Sequence, residues 1–183
     1  LTHPWQIFNP YIDGVFTGIS GMSYHGAFIG FILASYLFCR KHKVSFWFLA
    51  DIAVLGISAG YILGRIGNFF NQELIGRVSD LPWSIYVDGV LRHPSQIYEA
   101  ILEGLLIFIL LYWYRNKKKF DGELAIIYGI TYSIARIIAE FFREPDVQLG
   151  FLYGNWLTMG MLISGIFAIV SIILFITIKK VKA

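Results

Sequence analysis

The amino-acid sequence predicts an all-α polytopic membrane protein, a bundle of about five transmembrane helices with its N-terminus outside and its C-terminus in the cytoplasm. Of the 183 residues, 57% are hydrophobic and only 15% are charged, whereas soluble domains carry about 25% charged residues. The mean hydropathy is +0.64. Long apolar stretches alternate with short polar clusters. Together these properties exclude a soluble monomer and an intrinsically disordered chain.

Stretches long enough to span a bilayer, which needs about 20 mostly apolar residues, occur at residues 23–39, 46–70, 97–114, 123–142 and 155–178. They lack the period-2 alternation of outer-membrane barrel strands. We therefore predict a single transmembrane domain over residues 1–183. The polar, proline-containing segment 72–96 is too broken to span and is a candidate lid or docking segment.

Basic residues set the predicted orientation. Ten of the 15 Lys and Arg residues follow the first, third and fifth stretches, in segments 40–43, 115–119 and 179–182. Because Lys and Arg accumulate in cytoplasmic loops, these segments are predicted inside and segment 72–96 outside. The chain opens at Leu1 without a signal-peptide pattern, although the predicted orientation places its start outside. We therefore expect further residues, and further helices, to precede it in the protein.

The numbers and positions of Cys, His, Lys and Arg argue against two classes of partner. The single cysteine, Cys39, and four histidines without ligand-like spacing predict no metal site. The basic residues sit at the ends of apolar stretches and do not form one surface patch, so we expect no nucleic-acid partner.

The second stretch carries a polar cluster at its outer end. Glycines at four-residue spacing, which would let another helix approach closely, precede it: Gly56, Gly60 and Gly64. Arg65 then shares a helix face with Asn68, and Asn71 and Glu73 follow. An arginine inside a membrane helix costs at least about 2.5–3.5 kcal/mol on insertion scales, so it should face a partner or a polar cavity.

The fourth stretch repeats this signal. Tyr132, Arg136, Glu140 and Arg143 are spaced so that they lie in one stripe of a helix. Two interpretations stay open from the residues alone. Glu140 and Glu73 could neutralise the two arginines structurally, or Arg136 and Arg65 could jointly bind an anionic phosphate, which guanidinium groups bind bidentately.

Three further side chains draw attention in the first and third stretches. His25, between Tyr24 and Gly26, opens the first stretch on its outer side. Histidine, with an ordinary pKa near 6.5, can move a proton at neutral pH, although a lone interfacial histidine more often only hydrogen-bonds. Glu99 and Glu103, four residues apart, are expected to pair with cations from other helices.

Four segments resemble the prolipoprotein diacylglyceryl transferase family, in the order in which that family carries them. They are SYHG at 23–26, GRIGNFFNQELIG at 64–76, RHPSQIYEA at 92–100, and the stripe that begins at Tyr132 and ends in FFREPD at 141–146. The family usually has a second glycine where this chain has Ala27. It also usually has seven membrane helices, so the chain resembles the last five.

The resemblance implies a bacterial cytoplasmic-membrane transferase whose active site faces the outer leaflet. Such an enzyme moves the diacylglyceryl group of phosphatidylglycerol onto the lipobox cysteine thiol in the signal peptide of a preprolipoprotein. A thioether forms and glycerol phosphate is released, without metal or organic cofactor. The expected partners are these two substrates and the lipid bilayer.

Together with the arguments from helix spacing and buried charge, the resemblance assigns two sets of site residues. The expected catalytic residues are His25, Arg65 and Arg136. The expected substrate-binding residues are Tyr24, Gly26, Asn68, Asn71, Glu73, Gly76, Tyr132, Glu140 and Arg143. The alternatives are a small-anion or lipid transporter, in which the arginines line a pathway, and a structural subunit.

Overall fold

A computed structural model describes most of the backbone and a slightly shorter set of side chains. Backbone is described for residues 11–12, 15–16, 24–145 and 150–182, and side chains for 29–145 and 150–179. The described residues fall into two compact units that divide after Leu49.

The first unit contains a short antiparallel pair of strands, β1 (Tyr11–Ile12) and β2 (Val15–Phe16), followed by helix α1 (Tyr24–His42). The helix runs three residues past the predicted end at 39. It ends where Lys43 takes a left-handed conformation with φ of 57°, which breaks the helical path. Cys39, near this end, is buried.

Four long helices form most of the second unit: α2 (Phe46–Phe70, which begins just before the division), α3 (Ser95–Tyr114), α4 (Glu123–Glu140) and α5 (Met159–Lys182). The six residues Ala100–Leu105 of α3 are π-helical. Within the described residues, α2, α3 and Met159–Lys179 are long and apolar enough to cross a membrane. The predicted fold class, an all-α polytopic membrane protein, is thereby confirmed.

Close approach between helices occurs at glycines other than the predicted stripe. A Cβ atom on Gly104 of α3 would lie 2.6 Å from the Ile62 side chain of α2, and one on Gly129 of α4 would collide with Ser171 of α5. By contrast, Cβ atoms on Gly56, Gly60 and Gly64 would meet nothing within 4 Å among the described residues. No described residue therefore packs closely against the stripe of glycines.

Asp51 organises the end of the unit where α2 and α4 begin. Its buried carboxylate accepts the backbone N–H groups of Gly122 (2.9 Å) and Ala125 (3.0 Å) and pairs with Lys118 at 2.9 Å. It therefore caps the N-terminus of α4, a different helix from its own. Burial lowers the pKa of Lys118, but hydrogen bonds to Asp51 and Asp121 outweigh it and hold the pKa above its ordinary value of 10.5.

The opposite end of the unit holds segment 72–96, which folds into a small hairpin. Strands β3 (Ile85–Val87) and β4 (Val90–Arg92) pair in antiparallel fashion. The two turn residues, Asp88 and Gly89, both have positive φ, 50° and 77°, as two-residue hairpin turns require. The proposed role of this segment as a lid or docking surface stays a prediction.

Candidate active site

The two membrane arginines predicted from the sequence meet around one carboxylate. Arg65 Nε lies 2.8 Å from Glu99 Oε2, and Arg136 Nη1 lies 3.2 Å from Glu99 Oε1. Oε2 has no hydrogen bond of acceptable geometry among the described residues, so charge attraction alone joins it to Nε. Glu99 is fully buried. Helices α2, α3 and α4 thus contribute one charge each, and the expected pairing of Glu99 with cations from other helices is confirmed.

Arg136 is surrounded by acidic groups. Its guanidinium also lies 3.5 Å from Glu103 Oε1 and forms an ion pair with Glu140, one turn later on α4. Glu140 in turn accepts a hydrogen bond from Thr158 at 2.7 Å, just before α5. A Cβ atom on Gly160 would lie 2.5 Å from the Glu140 carboxylate, so glycine there makes room for the ion pair.

Arg65 has a different set of neighbours. Its Nη2 donates to the Tyr61 hydroxyl at 2.7 Å, and its Nη1 reaches Asn68 Oδ1 only at 3.4 Å. Asn68 Nδ2 donates to Glu73 at 2.9 Å. The interpretation in which Glu73 neutralises Arg65 is therefore wrong: the carboxylate beside Arg65 is Glu99 from α3, and Glu73 binds Asn68.

The two guanidinium groups consequently differ in how far they are neutralised. Three carboxylates lie within 4 Å of Arg136, but among the described residues only Glu99 lies within 4 Å of Arg65. Arg65 is therefore neutralised less fully than Arg136, and its guanidinium keeps more net positive charge for an oxyanion.

Tyrosine rings of α2 and α4 pack against one another next to Arg65. Tyr132 of α4 packs edge-on against Tyr61, with ring centroids 5.9 Å apart, and stacks on Tyr128 at 5.5 Å. Tyr61, Glu103 and Thr158 were not among the predicted site residues. Tyr61 lies one helical turn before Arg65, so a search for polar neighbours along that helix face would have found it. Glu103 is expected from the sequence only to pair with a cation from another helix.

Gly76 and Arg143 lie side by side, next to the cluster. They form an isolated antiparallel bridge, and the Gly76 carbonyl accepts a hydrogen bond from Arg92 at 3.0 Å. A Cβ atom on Gly76 would collide with the carbonyl oxygen of His93. Arg143 Nη1 lies 3.7 Å from Glu140. Glycine at 76 thus has a packing reason, and its predicted role in substrate binding stays a prediction.

Arg77 fixes the C-terminal end of α4. Its Nε donates to the Arg143 carbonyl at 2.9 Å and its Nη2 to the Glu140 carbonyl at 3.1 Å. The guanidinium also lies 5.2 Å from the ring centroid of Phe151. A cation at a helix C-terminus is stabilised by the helix dipole and by the last carbonyls.

The described contacts of this cluster do not include four of the predicted residues. Asn71 is exposed in the turn after α2, where its backbone N–H donates to the Gly67 carbonyl. Tyr24, His25 and Gly26 lie in the first turn of α1, and their side chains are outside the described residues. The roles assigned to them stay predictions. Among the residues described, no group of His, Cys, Asp or Glu is arranged to hold a metal ion.

An apolar cavity of about 360 Å³ lies between the start of α3 and segment 72–96. Its lining is Leu81, Trp83, His93, Tyr98, Ile101, Leu102 and Phe142. The polar tips of the ring residues bind one another: Trp83 Nε1 donates to the Tyr98 hydroxyl at 2.6 Å, and His93 Nδ1 lies 3.4 Å from the same oxygen. The lining of the cavity is therefore apolar and suits an aliphatic group.

Comparisons with known proteins agree with the motifs in the cluster. The family model described as prolipoprotein diacylglyceryl transferase matches residues 1–177. A protein of Aliarcobacter butzleri named phosphatidylglycerol–prolipoprotein diacylglyceryl transferase is 72% identical over 181 residues, covering 99% of this chain and 66% of that protein. Proteins of the same name from Wolinella succinogenes and Campylobacter jejuni are 58% and 56% identical, covering 96% and 100% of this chain and 64% and 67% of their own lengths.

This chain thus spans about two thirds of the length of the curated relatives it matches. Its match to the family model extends over nearly all of its residues. The chain belongs to the prolipoprotein diacylglyceryl transferase family.

Proposed function

We propose that the protein transfers the diacylglyceryl group of phosphatidylglycerol to the lipobox cysteine thiol of preprolipoproteins, forming a thioether and releasing glycerol phosphate. The names of its relatives support this assignment. The structural observation that carries it is the cluster in which Arg65, with one carboxylate within 4 Å against three at Arg136, is the less neutralised of two arginines. The transporter alternative has no comparable support.

The proposed step is a substitution at carbon. The thiol sulfur attacks the glycerol carbon that bears the phosphate ester. A sulfur–carbon bond forms, the carbon–oxygen bond breaks, and its electron pair leaves with the glycerol phosphate. The thiol proton passes to a base, and no oxidant or reductant is needed.

Arg65 is the proposed contact of the lipid phosphate. Negative charge grows on the departing phosphate in the transition state, and a guanidinium group oriented in advance stabilises it more than it stabilises the ground state. Arg136 helps to hold this site together, because it lies against Glu99, the carboxylate that also pairs with Arg65. It also keeps Glu103 and Glu140 neutralised.

His25 is the proposed base, on the strength of sequence alone. A thiol with an ordinary pKa near 8.5 is only a few per cent ionised at pH 7, so a base would speed its attack. Tyr24 and Gly26 are proposed to shape the substrate pocket around it, and Tyr132 and Asn68 to orient substrate oxygens.

The proposed location is the bacterial cytoplasmic membrane, with the site toward the outer leaflet. The cluster lies where α2 and α4 end and α3 begins, and the distribution of basic residues predicts that this end faces outward. Both substrates are available there, because a preprolipoprotein presents its lipobox at the outer face.

Mass spectrometry of a model substrate tests the proposal. The intact protein is incubated with phosphatidylglycerol and a lipobox peptide, and the peptide should gain the mass of one diacylglyceryl group. A peptide with serine in place of the lipobox cysteine should stay unmodified. A protein that leaves the cysteine peptide unchanged, but carries anions or lipids across vesicle membranes, would instead be a transporter.

A further inference from the structure

We propose that Tyr61 is a positioning residue that holds the Arg65 guanidinium in its phosphate-binding orientation, and that Glu103 fixes the Tyr61 hydroxyl for this task. The inference rests on the proposed function, because the lipid phosphate is the group that Arg65 would bind.

A chain of two hydrogen bonds links the three side chains. Arg65 Nη2 donates to the Tyr61 hydroxyl at 2.7 Å, and this hydroxyl donates to Glu103 Oε2 at 2.5 Å. A tyrosine hydroxyl has one proton. Because that proton is committed to Glu103, the oxygen presents its lone pairs to Arg65 and fixes the direction in which the guanidinium points.

Tyr61 is suited to this task because it is neutral. A carboxylate in its place would neutralise Arg65 further and repel a phosphate, as the three carboxylates around Arg136 would. The hydroxyl takes one N–H of Arg65 without adding negative charge beside it. Its ring centroid also lies 4.8 Å from the guanidinium carbon of Arg65, within the range of a favourable cation–π contact.

The packing of three helices holds Tyr61 still. Its ring meets that of Tyr132 edge-on, and its hydroxyl reaches Glu103 in the π-helical part of α3. The next residues of the two helices, Ile62 and Gly104, are in close contact, because a Cβ atom on Gly104 would lie 2.6 Å from the Ile62 side chain. Glu103 is fully buried. Water therefore has little opportunity to compete for the hydroxyl.

The chain offers a matched control for this pair. At the other end of α3, the Tyr114 hydroxyl donates to Glu123 at 3.0 Å, also between two helices. Replacing Tyr114 by phenylalanine removes the same chemical group and the same type of hydrogen bond. No arginine of the candidate site is involved.

Lipid binding to the intact protein in nanodiscs of neutral lipid tests the inference. Phosphatidylglycerol is compared with diacylglycerol, which lacks the phosphate. Tyr61→Phe should weaken binding of phosphatidylglycerol about tenfold, the usual scale for a lost hydrogen bond to a charged group, and should leave diacylglycerol within about twofold. Tyr114→Phe should leave both affinities unchanged.

Two results would overturn the inference. One is an unchanged preference for phosphatidylglycerol in Tyr61→Phe, and the other is an equal loss for both lipids, which would indicate a merely structural role. The binding assay contains no peptide and does not depend on thioether formation. Failure to form the thioether in the mass assay would therefore contradict the proposed function but not this inference.

A second pair of variants keeps the test decisive if Tyr61→Phe does not accumulate in the membrane. Glu103→Gln retains an oxygen that accepts the Tyr61 hydroxyl and should keep the preference for phosphatidylglycerol. Glu103→Leu removes the acceptor and should lose that preference. If both variants keep the preference for phosphatidylglycerol, or both lose it, Glu103 does not act through the Tyr61 hydroxyl.

Discussion

Glu99 is the residue on which the candidate site depends, because its two carboxylate oxygens lie against two different guanidinium groups. Charges buried in a low-dielectric interior are stable only when they are paired. Glu99, together with Glu103 and Glu140 beside Arg136, thus explains how two arginines can sit in membrane helices. The remaining acidic groups are distributed unequally, and this leaves Arg65 the better oxyanion ligand.

Lysine at position 65 keeps the charge but loses the planar fork that binds phosphate at two points. We expect Arg65→Lys to lower kcat/KM for phosphatidylglycerol by about 100-fold while the protein still accumulates in the membrane. Arg115→Lys is the control, because that guanidinium lies at the other end of α3, where it donates to the Tyr112 carbonyl. Full activity of Arg65→Lys would remove the residue from the mechanism.

His25→Gln separates a base from a hydrogen-bonding side chain, because glutamine can still form hydrogen bonds but cannot take a proton. A base must be unprotonated to act, so the rate of the wild type should fall as the pH drops through the pKa of His25. We expect His25→Gln to lose about 10²- to 10⁴-fold in rate and to lose this acidic limb. Near-normal transfer with an unchanged limb would reject the assignment, provided that insertion and lipid binding are intact.

At the scale of the elements, helices of the second unit are joined at both ends by polar contacts between helices distant in sequence. Asp51 of α2 caps α4 at one end, and Glu99 of α3 joins α2 to α4 at the other. Gly104 lets α2 and α3 approach between these two points. The separation of the helices is therefore fixed along most of their length.

Asp51→Ala should lower stability without altering the site. It leaves two backbone N–H groups at the start of α4 without their acceptor, and loss of such a cap costs about 0.5–2 kcal/mol in free energy of unfolding. Thermal unfolding in detergent should show a lower midpoint, with unchanged KM for phosphatidylglycerol. Asp121→Ala removes only a half-exposed partner of Lys118 and should shift the midpoint much less; equal shifts would argue against the capping role.

Gly104→Ala should affect both stability and activity. The new methyl group would meet the Ile62 side chain at 2.6 Å and its backbone nitrogen at 3.3 Å, so α2 and α3 must move apart and carry Glu103 away from Tyr61. We expect a lower unfolding midpoint and weaker binding of phosphatidylglycerol. Gly165→Ala in α5, where a Cβ meets nothing within 4 Å of the described residues, is the control. A Gly104→Ala protein as stable and active as this control would contradict the packing argument.

At the scale of the whole molecule, the second unit has chemically different ends. The basic segment 115–119 lies at the end where Asp51 meets Lys118, and the arginine cluster with segment 72–96 lies at the other. Three alternating helices separate the two ends. The distribution of Lys and Arg predicts that the first end is cytoplasmic.

Cysteine labelling in intact cells tests this orientation. In a Cys39→Ser background, which removes the single native cysteine, Asp80→Cys should react with a membrane-impermeant reagent, whereas Asn116→Cys should react only after the cells are opened. Both positions are exposed in the structure. Labelling of Asn116→Cys in intact cells would invert the predicted topology.

The sequence by itself determined the fold class and the approximate bounds of the long helices. Helix α2 has the predicted bounds, 46–70, because apolar length is a property of composition that needs no knowledge of neighbours. The fifth helix begins at Met159, four residues after the predicted start at 155. There Thr158 accepts the N–H of Met161 and caps the helix, a boundary that hydropathy does not detect.

Only the tertiary structure decided which side chains meet. It pairs Arg65 with Glu99 and not with Glu73 and places Tyr61 between Arg65 and Glu103. It also makes Asp51 of α2 the cap of a different helix, α4. Lipid tails and the protein interior are both apolar, so the sequence of a membrane helix marks weakly which of its faces is turned inward. The rotation and register of α2, α3 and α4 come from contacts between residues more than 30 positions apart, such as Arg65 with Glu99 and Glu99 with Arg136.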